Sequence, residues 1–317
     1  MPDDAHYAQA LELAERGRGR AGDHPLVGAV VVSNGEVVGE GWYEYDVIRH
    51  AETIALEQAG DRARGATLYV TLEPCSHHGR TPPCADAVIA AGVGRVVVGA
   101  LDPNPLVDGR GIARLRAAGV EVELLDDFAA RRQNDAWRVW KSLGRPFVTY
   151  KAAVTLDGRV TVPGRRWVSG EESRRRVHEL RAASDAVAVG MGTVRADAPR
   201  LDARGVDAVR QPRRLAFGRG PLPEGSQLEL RSGPLDEELR ALGEEGVQSL
   251  LLEGGPTLAT AFLEAGLVDK LLLFAAPVLG GSGPGLLGEL RAPVELRHLR
   301  AEPSGDDLLL EGYLREP

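Results

Sequence analysis

The two cysteines of this chain constrain its fold more than any other feature. Each directly follows a proline, at positions 74–75 and 83–84, and a His-Ala-Glu sequence precedes them at residues 50–52. Two cysteines in a chain of 317 residues cannot build a disulfide framework, so they are better suited to chemistry or metal binding. If they bind a metal together with His50, the fold must bring three separate segments to one point.

His50, Cys75 and Cys84 offer the nitrogen and sulfur ligands that zinc prefers. Cys84 opens a predicted helix, whose N-terminal dipole favours the thiolate form that binds metal. Three protein ligands leave the fourth tetrahedral position to water, which is the arrangement of a catalytic zinc site. Glu52 would then reach that water as general acid and base without binding the metal. His-x-Glu before Pro-Cys-x-x-Cys is the signature of zinc deaminases, although here the second cysteine lies nine positions after the first.

Other interpretations of the same residues remain open. His50 and Glu52 could be capping or solvated groups at a helix start, and each cysteine could belong to the core. The metal site could also be closed and structural, with His77 or His78 as the fourth ligand, but such a site leaves no role for Glu52. The two adjacent histidines could instead line a substrate pocket beside the metal.

The first half of the chain alternates apolar strands with helical segments. Asn34-Gly35 separates the apolar runs 26–32 and 36–42, which predicts a β-hairpin. Continuous valine-rich runs between helices are typical of strands buried on both faces, and they predict a three-layer α/β/α sandwich. Further strands are predicted at 66–72, 95–101 and 120–125. Helices are predicted at 5–17, from 51, and at 83–91, 110–118 and 126–142.

A turn-rich segment with Gly144 and Pro146 predicts a boundary between two domains, 1–145 and 146–317. The second domain restarts the α/β alternation, and its segment 219–234 is nearly structureless by pattern. Strands are predicted there at 147–155, 186–191, 213–218, 249–254, 270–279 and 307–314. Helices are predicted at 171–182, 235–243 and 256–265.

The charge of the chain excludes some classes of partner. Its formal net charge is −8 and its basic residues form no run on one face, so a nucleic-acid backbone or an anionic membrane would meet a repulsive field. The N-terminus lacks the layout of a signal peptide, and no apolar stretch approaches the ~18 residues of a membrane span. We therefore expect a cytoplasmic protein with a small-molecule partner and with no nucleic-acid or membrane partner.

Longer motifs carry a resemblance to a known family. TLEPCSHHGRTPPC, with HAE before it and DPNPLVDGRG after it, resembles the deaminase domain of bifunctional riboflavin-biosynthesis proteins, the pyrimidine deaminase/reductase family. The long spacing between the cysteines is that family's own pattern. KAAVTLDGR, GMGTVRADAPRLDAR and LLLEGGPTLATAFLEAGLVD are similar to its reductase domain. The resemblance implies a cytidine-deaminase-like α/β/α domain followed by a dihydrofolate-reductase-like α/β domain.

The resemblance also implies two consecutive reactions and two cofactors. The first is the zinc-dependent hydrolytic deamination of a phosphorylated ribosylaminopyrimidine, with one Zn²⁺ per chain held by His50, Cys75 and Cys84 and with Glu52 moving the proton. The second is the NADPH-dependent reduction of the ribosyl group to ribityl, in which Lys151 orients or polarises the sugar. Reductase domains of this type often pair, so a homo-oligomer through the second domain is a further expectation.

Most site residues of the second domain are implied by the same resemblance. Gly254-Gly255 follows an apolar strand and precedes a helix, so backbone amides there can approach a phosphate, although such a pair is also common in tight turns. The cofactor positions are Ala153, Trp167, Thr193, Asp197, Gly255, Pro256, Thr257 and Leu258. The substrate positions are Arg181, Leu201, Arg204 and Glu253. Residues 174–176, all arginine, are interpreted as a solvated helix face. Lys151 has a second interpretation, as a lysine at a strand end whose side chain extends to solvent.

In the second domain, AFGRGPLP lacks the family's usual polar pair after its strand, and the following segment is short. In the first domain, three positions depart from the family pattern. His24 stands where the family has an amide expected to contact the pyrimidine, and Tyr43 and Asp46 stand where histidine and glycine are common. One alternative is therefore a homologue with a single active domain or with a redirected pyrimidine substrate. An RNA base deaminase conflicts with the acidic net charge, and a non-catalytic zinc scaffold conflicts with the presence of Glu52.

Overall fold

The computed structural model describes residues 2–20, 24–79 and 81–316, with side chains for all of these except residues 2–4. The chain divides into two compact units. The first unit contains the residues up to Leu143, and the second contains Gly144–Glu316. Within the described residues, no helix is both long and apolar enough to cross a lipid bilayer.

One sheet forms the centre of the first unit. Its strands are β1 Gly28–Ser33, β2 Glu36–Trp42, β3 Thr67–Leu72, β4 Arg95–Ala100 and β5 Glu121–Leu124. Their order is β2-β1-β3-β4-β5, with β1 antiparallel to β2 and β3 and with β3, β4 and β5 parallel. The predicted hairpin is confirmed, since Asn34 and Gly35 both have a positive φ, 52° and 80°, as the favoured two-residue turn requires.

Helices cover both faces of this sheet. They are α1 Pro2–Glu15, α2 Ala51–Ala59, α3 Cys84–Ala90, α4 Arg110–Ala117, α5 Phe128–Gln133 and α6 Asp135–Leu143. Leu13 of α1 packs in one core with Val30 of β1. Ala55 of α2 and Leu115 of α4 pack in another core with Val31, the next residue of β1. Successive residues of a strand point to opposite faces, so both faces are buried and the predicted three-layer sandwich is confirmed.

The single helix predicted for residues 126–142 is wrong, because α5 and α6 meet at Asn134. The Asn134 side chain is buried and pairs with the backbone of Leu26. Its amide nitrogen donates to the Leu26 carbonyl and its carbonyl accepts from the Leu26 N–H, both at 2.8 Å. A buried amide that makes two hydrogen bonds to a distant segment thus interrupts the helix, and Asn134 has φ −111° and ψ 23°.

The second unit is built on one larger sheet. Its strands are β6 Phe147–Thr155, β7 Ala186–Gly190, β8 Arg213–Phe217, β9 Glu229–Arg231, β10 Ser249–Leu252, β11 Lys270–Ala276, β12 Arg297–Ser304 and β13 Asp307–Tyr313. Their order is β12-β13-β11-β6-β10-β7-β8-β9. β13 is antiparallel to both of its neighbours, and the other pairs are parallel.

Helices cover both faces of the second sheet as well. They are α7 Glu171–Ala183, α8 Met191–Asp197, α9 Leu235–Glu244 and α10 Pro256–Glu264. Phe262 of α10 packs in one core with Ala188 of β7, and Val194 of α8 packs in another core with Val189 of the same strand. The expected second α/β domain is therefore confirmed.

The sequence does not predict three elements of this unit. The strand predicted for residues 186–191 ends at Gly190. The helix α8, which the sequence does not predict, begins at the next residue. The short strand β9 lies in the segment 219–234 that has no clear pattern. All residues of β12 before Ser304 are exposed, so this strand has no apolar alternation and its place is set by backbone pairing with β13.

Candidate functional site

Three potential metal ligands converge at one edge of the first sheet. His50 directly precedes α2, Cys75 follows the end of β3, and Cys84 is the first residue of α3. The Cys84 N–H donates to the Cys75 sulfur at 3.2 Å, and the Ala85 N–H donates to the Cys75 carbonyl at 3.1 Å. These hydrogen bonds hold the segment after β3 against the start of α3, so the two cysteines lie side by side. We call His50, Cys75 and Cys84 the metal centre.

The distances between the three donor atoms suit a single zinc ion. His50 Nδ1 lies 3.2 Å from the Cys84 sulfur and 3.8 Å from the Cys75 sulfur, and all three atoms lie within 4.8 Å of one another. Zinc bonds of about 2.0 Å to nitrogen and about 2.3 Å to sulfur place tetrahedral donors roughly 3.5 Å apart. Among the described residues no fourth His, Cys, Asp or Glu joins this group, His77 and His78 included. The donor set therefore fits zinc with three protein ligands, and it does not support the closed structural site.

The surroundings of Cys75 favour its thiolate form. The Cys84 thiol and backbone N–H donate to the Cys75 sulfur, and His50 lies beside it. Together these neighbours outweigh burial and lower the pKa of Cys75 well below its ordinary value. Deprotonated sulfur is the form that binds zinc, so Cys75 is prepared for the ion. The hydrogen bond between the two sulfurs and burial raise the pKa of Cys84, so this thiol gives up its proton when a metal binds.

Glu52 lies in the first turn of α2 and lines the same cavity as His50 and Cys75. The residue is 3% exposed, and burial raises the pKa of its carboxyl although the nearby His50 opposes the shift. The Glu52 oxygens do not belong to the donor group. A buried carboxyl with a raised pKa beside the ligands has the properties that proton transfer requires.

Thr81 contacts the ring of His50 on the side away from the sulfurs. Its hydroxyl lies 3.2 Å from His50 Nε2, while Nδ1 is the ring nitrogen close to the cysteines. A hydrogen bond at one ring nitrogen determines which nitrogen is available to a metal. The sequence alone does not indicate this role of Thr81, because its position three residues before Cys84 does not reveal a contact with His50.

Aromatic side chains form a wall beside His50. The Tyr43 ring lies 5.2 Å from the His50 ring and stacks on the His24 ring at a centroid distance of 4.9 Å and an angle of 27°. His24 and Tyr43 line the cavity at the metal centre, which has a volume of about 160 Å³, and Asp46 does not. Two of the three departures from the family pattern therefore contribute to this cavity.

Glu73 fixes the segment that carries Cys75 to the start of α4. Its buried carboxylate accepts hydrogen bonds from the N–H groups of Gly109 and Gly111 at 2.9 and 2.8 Å. A Cβ atom at Gly111 would lie 2.0 Å from the Pro74 carbonyl oxygen, so only glycine allows this close approach of the two backbones. The sequence alone does not indicate this role of Glu73, although the residue stands within the cysteine motif.

A larger cavity of about 670 Å³ lies in the second unit, within the range of about 300–1,000 Å³ that is typical of small-molecule sites. We call it the arginine-rich cavity, because its lining includes Arg166, Arg174, Arg175, Arg181 and Arg204. Nine of the predicted residues line it, namely Lys151, Ala153, Trp167, Arg181, Thr193, Asp197, Arg204, Glu253 and Gly255. The fold thus gathers most of the predicted cofactor and substrate residues around one space.

Four predicted residues do not line this cavity, namely Leu201, Pro256, Thr257 and Leu258. Leu201 is 3% exposed and belongs to the same core as Val194 of α8. The Leu258 side chain packs against Gly254, where a Cβ atom would lie 3.0 Å from it. Contact of these four residues with a ligand stays a prediction.

Glu253 follows β10 and binds two cations inside the arginine-rich cavity. Arg181 Nε lies 2.6 Å from one carboxylate oxygen, and Arg181 Nη2 and Lys151 Nζ lie 3.1 and 3.2 Å from the other. Burial would raise the pKa of Glu253, but Lys151 and Arg181 outweigh it and lower the pKa to about 2. The Lys151 amine therefore lies inside the cavity, and the interpretation of this residue as a lysine that extends to solvent is wrong.

The start of α10 adjoins the same cavity through Gly254 and Gly255. Gly255 is the N-cap residue of α10 and offers no side-chain cap to the first N–H groups. A Cβ atom at Gly255 would meet only the Thr193 hydroxyl, at 3.7 Å. An open helix N-terminus suits a phosphate group, which is the chemistry predicted for this pair of glycines.

The solvated helix face predicted for residues 174–176 is wrong for Arg174. Its guanidinium carbon lies 5.5 Å from the Trp167 ring centroid, and its side chain lines the cavity. Arg176 instead pairs with Glu302 and does not line the cavity. One face of α7 is therefore part of the second site.

Comparison with known proteins relates both units to the same group of enzymes. Residues 1–100 match the cytidine and deoxycytidylate deaminase zinc-binding region, and residues 146–310 match the RibD C-terminal domain. The chain is 39% identical to the riboflavin biosynthesis protein RibD of Aquifex aeolicus (strain VF5), over 97% of each chain. It is also 39% identical to the protein of the same name in Escherichia coli (strain K12), over 94% of this chain and 97% of the relative.

Solved structures of such proteins superpose well on this chain. RibD from Acinetobacter baumannii, form 1, matches with a TM-score of 0.88 and 34% identity over 98% of each chain. A diaminohydroxyphosphoribosylaminopyrimidine deaminase/5-amino-6-(5-phosphoribosylamino)uracil reductase from Thermotoga maritima matches with a TM-score of 0.85 and 32% identity, again over 98% of each chain. The similarity therefore extends over both units.

Proposed function

Because the chain belongs to the RibD family of riboflavin biosynthesis proteins, we propose that its two cavities catalyse consecutive steps on one phosphorylated ribosylaminopyrimidine. The first step is the hydrolytic deamination of the pyrimidine at the metal centre. The second is the NADPH-dependent reduction of the ribosyl group to ribityl in the arginine-rich cavity. The observation that carries this proposal is the metal centre with the buried Glu52 beside it, in the same chain as a large cationic cavity.

In the deaminase step, a zinc ion held by His50, Cys75 and Cys84 would supply a Lewis acid that makes water a nucleophile at neutral pH. Glu52 takes a proton from the attacking water and delivers a proton to the departing amino group, so that ammonia leaves. Thr81 keeps the His50 ring in the orientation that presents Nδ1 to the metal. The raised pKa of Glu52 supports this role, because a carboxyl that is easily protonated can both accept and return a proton.

In the reductase step, NADPH would supply a hydride to the C1′ carbon of the sugar. The bond between C1′ and the ring oxygen breaks, and that oxygen must take up a proton. Lys151 is the group that we assign to this oxygen, since its ammonium lies inside the cavity and can donate a hydrogen bond to it. Glu253 positions Lys151 through their ion pair, and Arg181 holds Glu253 from the other side.

The remaining assignments follow from the same comparison. We assign deamination to residues 1–145 and reduction to residues 146–317. A homo-oligomer through the second unit is supported by strand β12, which lies at the edge of the sheet and is exposed along most of its length. A cytoplasmic location is supported by the need to keep Cys75 and Cys84 reduced as metal ligands.

The test measures ammonia release from the ribosylaminopyrimidine phosphate, together with the zinc content of the same samples. The proteins are wild type, Glu52→Gln and Glu57→Gln, in which the last is a matched control because Glu57 lies on the same helix but is exposed. We expect about one zinc per chain in all three, and a loss of turnover by about three orders of magnitude or more in Glu52→Gln alone. Full turnover of Glu52→Gln would contradict the assigned role.

A second candidate function is favoured by one observation. His24 and Tyr43, which depart from the family pattern, stack on each other in the wall of the first cavity. The alternative is a deaminase with a redirected pyrimidine substrate, or a chain with only the reductase active. If wild type binds zinc and reduces the deaminated substrate but releases no ammonia, this alternative replaces the first.

A further inference from the structure

One wall of the arginine-rich cavity is a segment that lies outside the helices and strands. It connects the end of β6 to the start of α7, and we call residues 158–169 the wall segment. Its residues that line the cavity are Val160, Thr161, Arg166, Trp167, Val168 and Ser169. In the described part of the chain, the backbone of residues 161–168 forms no hydrogen bond with another element. The position of the wall segment therefore depends on how its two ends are held.

Asp157 holds the first end of the wall segment. Its carboxylate accepts hydrogen bonds from the N–H groups of Gly280 and Gly281, at 2.7 and 2.9 Å, and these two glycines follow β11, more than 120 positions later in the chain. The Thr155 hydroxyl donates to the same carboxylate at 2.5 Å. Thr155 and Gly280 lower the pKa of Asp157 to about 2, so this carboxylate is ionised at neutral pH. Hydrogen bonds to an ionised acceptor are stronger than neutral ones, so Asp157 firmly links two distant segments.

The same two segments remain in contact just beyond Asp157. The Val160 N–H donates to the Pro284 carbonyl at 3.1 Å, and the Leu286 N–H donates to the Gly158 carbonyl at 3.0 Å. The first residues of the wall segment are thus tied to residues 284–286, which do not line the cavity. The wall segment is held from outside the cavity at this end.

A second carboxylate holds the other end of the wall segment. Asp307, at the start of β13, is 5% exposed, and one of its oxygens accepts from the Gly170 N–H at 2.7 Å and from the Ser173 hydroxyl at 2.5 Å. Between the two ends, the only backbone hydrogen bond among these described residues is internal, from the Arg165 N–H to the Val162 carbonyl. A segment with few hydrogen bonds of its own opens easily when one of its ends is released.

We propose that Asp157 is a positioning residue for the reductase step, which holds the wall segment, and Trp167 with it, against the ligand of the arginine-rich cavity. The identity of this ligand and of the step rests on the proposed function. Asp157 does not line the cavity, so it acts through the wall segment and not by contact with a ligand. Loss of this link lowers the fraction of molecules in which the wall is in place, and the apparent affinity for the ligand falls in proportion.

The test uses two measurements on the full-length protein. The first is fluorine NMR of protein labelled with fluorotryptophan and free of ligand. The chain has four tryptophans, and Trp167 is the only one beyond residue 140, so its signal reports on the wall segment and is assigned by its loss in Trp167→Phe. The second is calorimetric titration with NADP⁺. Melting temperatures check that every variant is folded at the temperature of the assays.

The variants perturb the link from both sides. Asp157→Asn keeps the shape of the side chain but places an amide N–H group where a backbone N–H needs an acceptor. Gly280→Ala acts from the other segment, because its Cβ would lie 3.0 Å from Thr155 Cγ2. Asp236→Asn is the matched control, since it removes the same charge from an exposed pair with Arg240 on α9, away from the cavity.

We expect the Trp167 signal to shift or broaden in Asp157→Asn and in Gly280→Ala, while the other three tryptophan signals stay in place. The dissociation constant of NADP⁺ should rise about fivefold or more in each variant. The double variant should bind NADP⁺ more tightly than the product of the two single effects predicts, because both substitutions break one contact. Asp236→Asn should behave as wild type in both measurements.

Three results would overturn the role of Asp157. The Trp167 signal could be unchanged in both variants, NADP⁺ could bind to both within about twofold of wild type, or folded wild type could fail to bind NADP⁺. A variant that only melts at a lower temperature would show that Asp157 stabilises the fold without positioning the wall segment. Neither measurement requires turnover. If the Trp167 signal and NADP⁺ binding depend on Asp157 but wild type reduces no ribosylaminopyrimidine, the proposed function fails and the positioning role stands.

Discussion

Replacing Glu253 by glutamine should destabilise the second unit at neutral pH by about 3 kcal/mol, and by much less in acid. The carboxylate of Glu253 forms ion pairs with Arg181 and Lys151, at 2.6 and 3.2 Å. Its side chain is only 9% exposed, so water screens these pairs little. Glutamine has nearly the same shape and can keep one hydrogen bond, but it leaves two cations facing each other without an anion.

The pKa of Glu253 gives the size of this destabilisation. These neighbours lower it from the ordinary value of 4.5 to about 2 although burial acts in the opposite direction. Each pKa unit corresponds to about 1.4 kcal/mol, so the ionised carboxylate contributes about 3 kcal/mol to the stability of the folded unit.

The direction of the pH dependence follows from the sign of this shift. A carboxyl whose pKa is lower in the folded state contributes its full stability above the unfolded pKa, here about 4.5, and loses it as the pH falls towards the folded pKa of about 2. The difference between wild type and Glu253→Gln should therefore stay near about 3 kcal/mol from pH 7 down to pH 6 and shrink to about 1.4 kcal/mol at pH 3.

The assay is native-state hydrogen exchange by mass spectrometry on the full-length protein at pH 7, 6 and 3. Peptides from the buried strands β6 and β10 exchange through unfolding of the second unit, so they report its free energy of unfolding separately from the first unit. Glu302→Gln is the control, because its pair with Arg176 is exposed and should contribute less than about 1 kcal/mol. A difference for Glu253→Gln below about 1 kcal/mol at pH 7, or one that is equal at pH 7 and pH 3, would show that the ionised Glu253 carboxylate does not stabilise the second unit.

Three further predictions concern the two sites. Thr81→Val should weaken zinc binding about 10-fold or more in competition with a chelator, because His50 loses the hydrogen bond that orients it, and Thr81→Ser should retain the wild-type affinity. Gly111→Ala should lower the zinc content of the purified protein. The new Cβ would lie 2.0 Å from the Pro74 carbonyl oxygen and would displace the segment that carries Cys75. A normal zinc content would show that this contact can relax. Lys151→Met should lower kcat for reduction about 100-fold or more and leave ammonia release unchanged, whereas Lys270→Met, which removes a lysine paired with Glu311 outside the cavity, should leave both rates unchanged.

The features that the sequence predicts correctly depend on local chemistry. The Asn34-Gly35 hairpin follows from two residues that tolerate a positive φ, and the strands of the first sheet follow from continuous apolar runs. The metal ligands could be chosen because the chain has only two cysteines and both lie in one motif. These ligands lie within 4.8 Å of one another because the end of β3 and the starts of α2 and α3 meet at one point.

The features that the sequence does not predict depend on contacts between distant residues. The break at Asn134 exists because its side chain pairs with Leu26, which lies 108 positions earlier. Residues 128–143 alone carry no sign of this partner, and their composition favours one long helix. Thr81 is a similar case, since its role depends on a ring nitrogen 31 positions away. The roles of such residues become visible only when the structure shows the distant residue that each one contacts.

The arginines of the second unit show why residue type alone cannot identify a phosphate site. Lysine and arginine number 38 in this chain, and family resemblance selects Arg181 and Arg204 among them. Whether an arginine is available to an anion depends on its carboxylate partners, and Glu253, the partner of Arg181, lies 72 positions away on another element. Arg174 shares a helix with Arg181 but has an indole beside it and no carboxylate in ion-pair distance among the described residues. The same residue type on one helix therefore lies in two different environments, one paired with a buried carboxylate and the other packed against an indole ring.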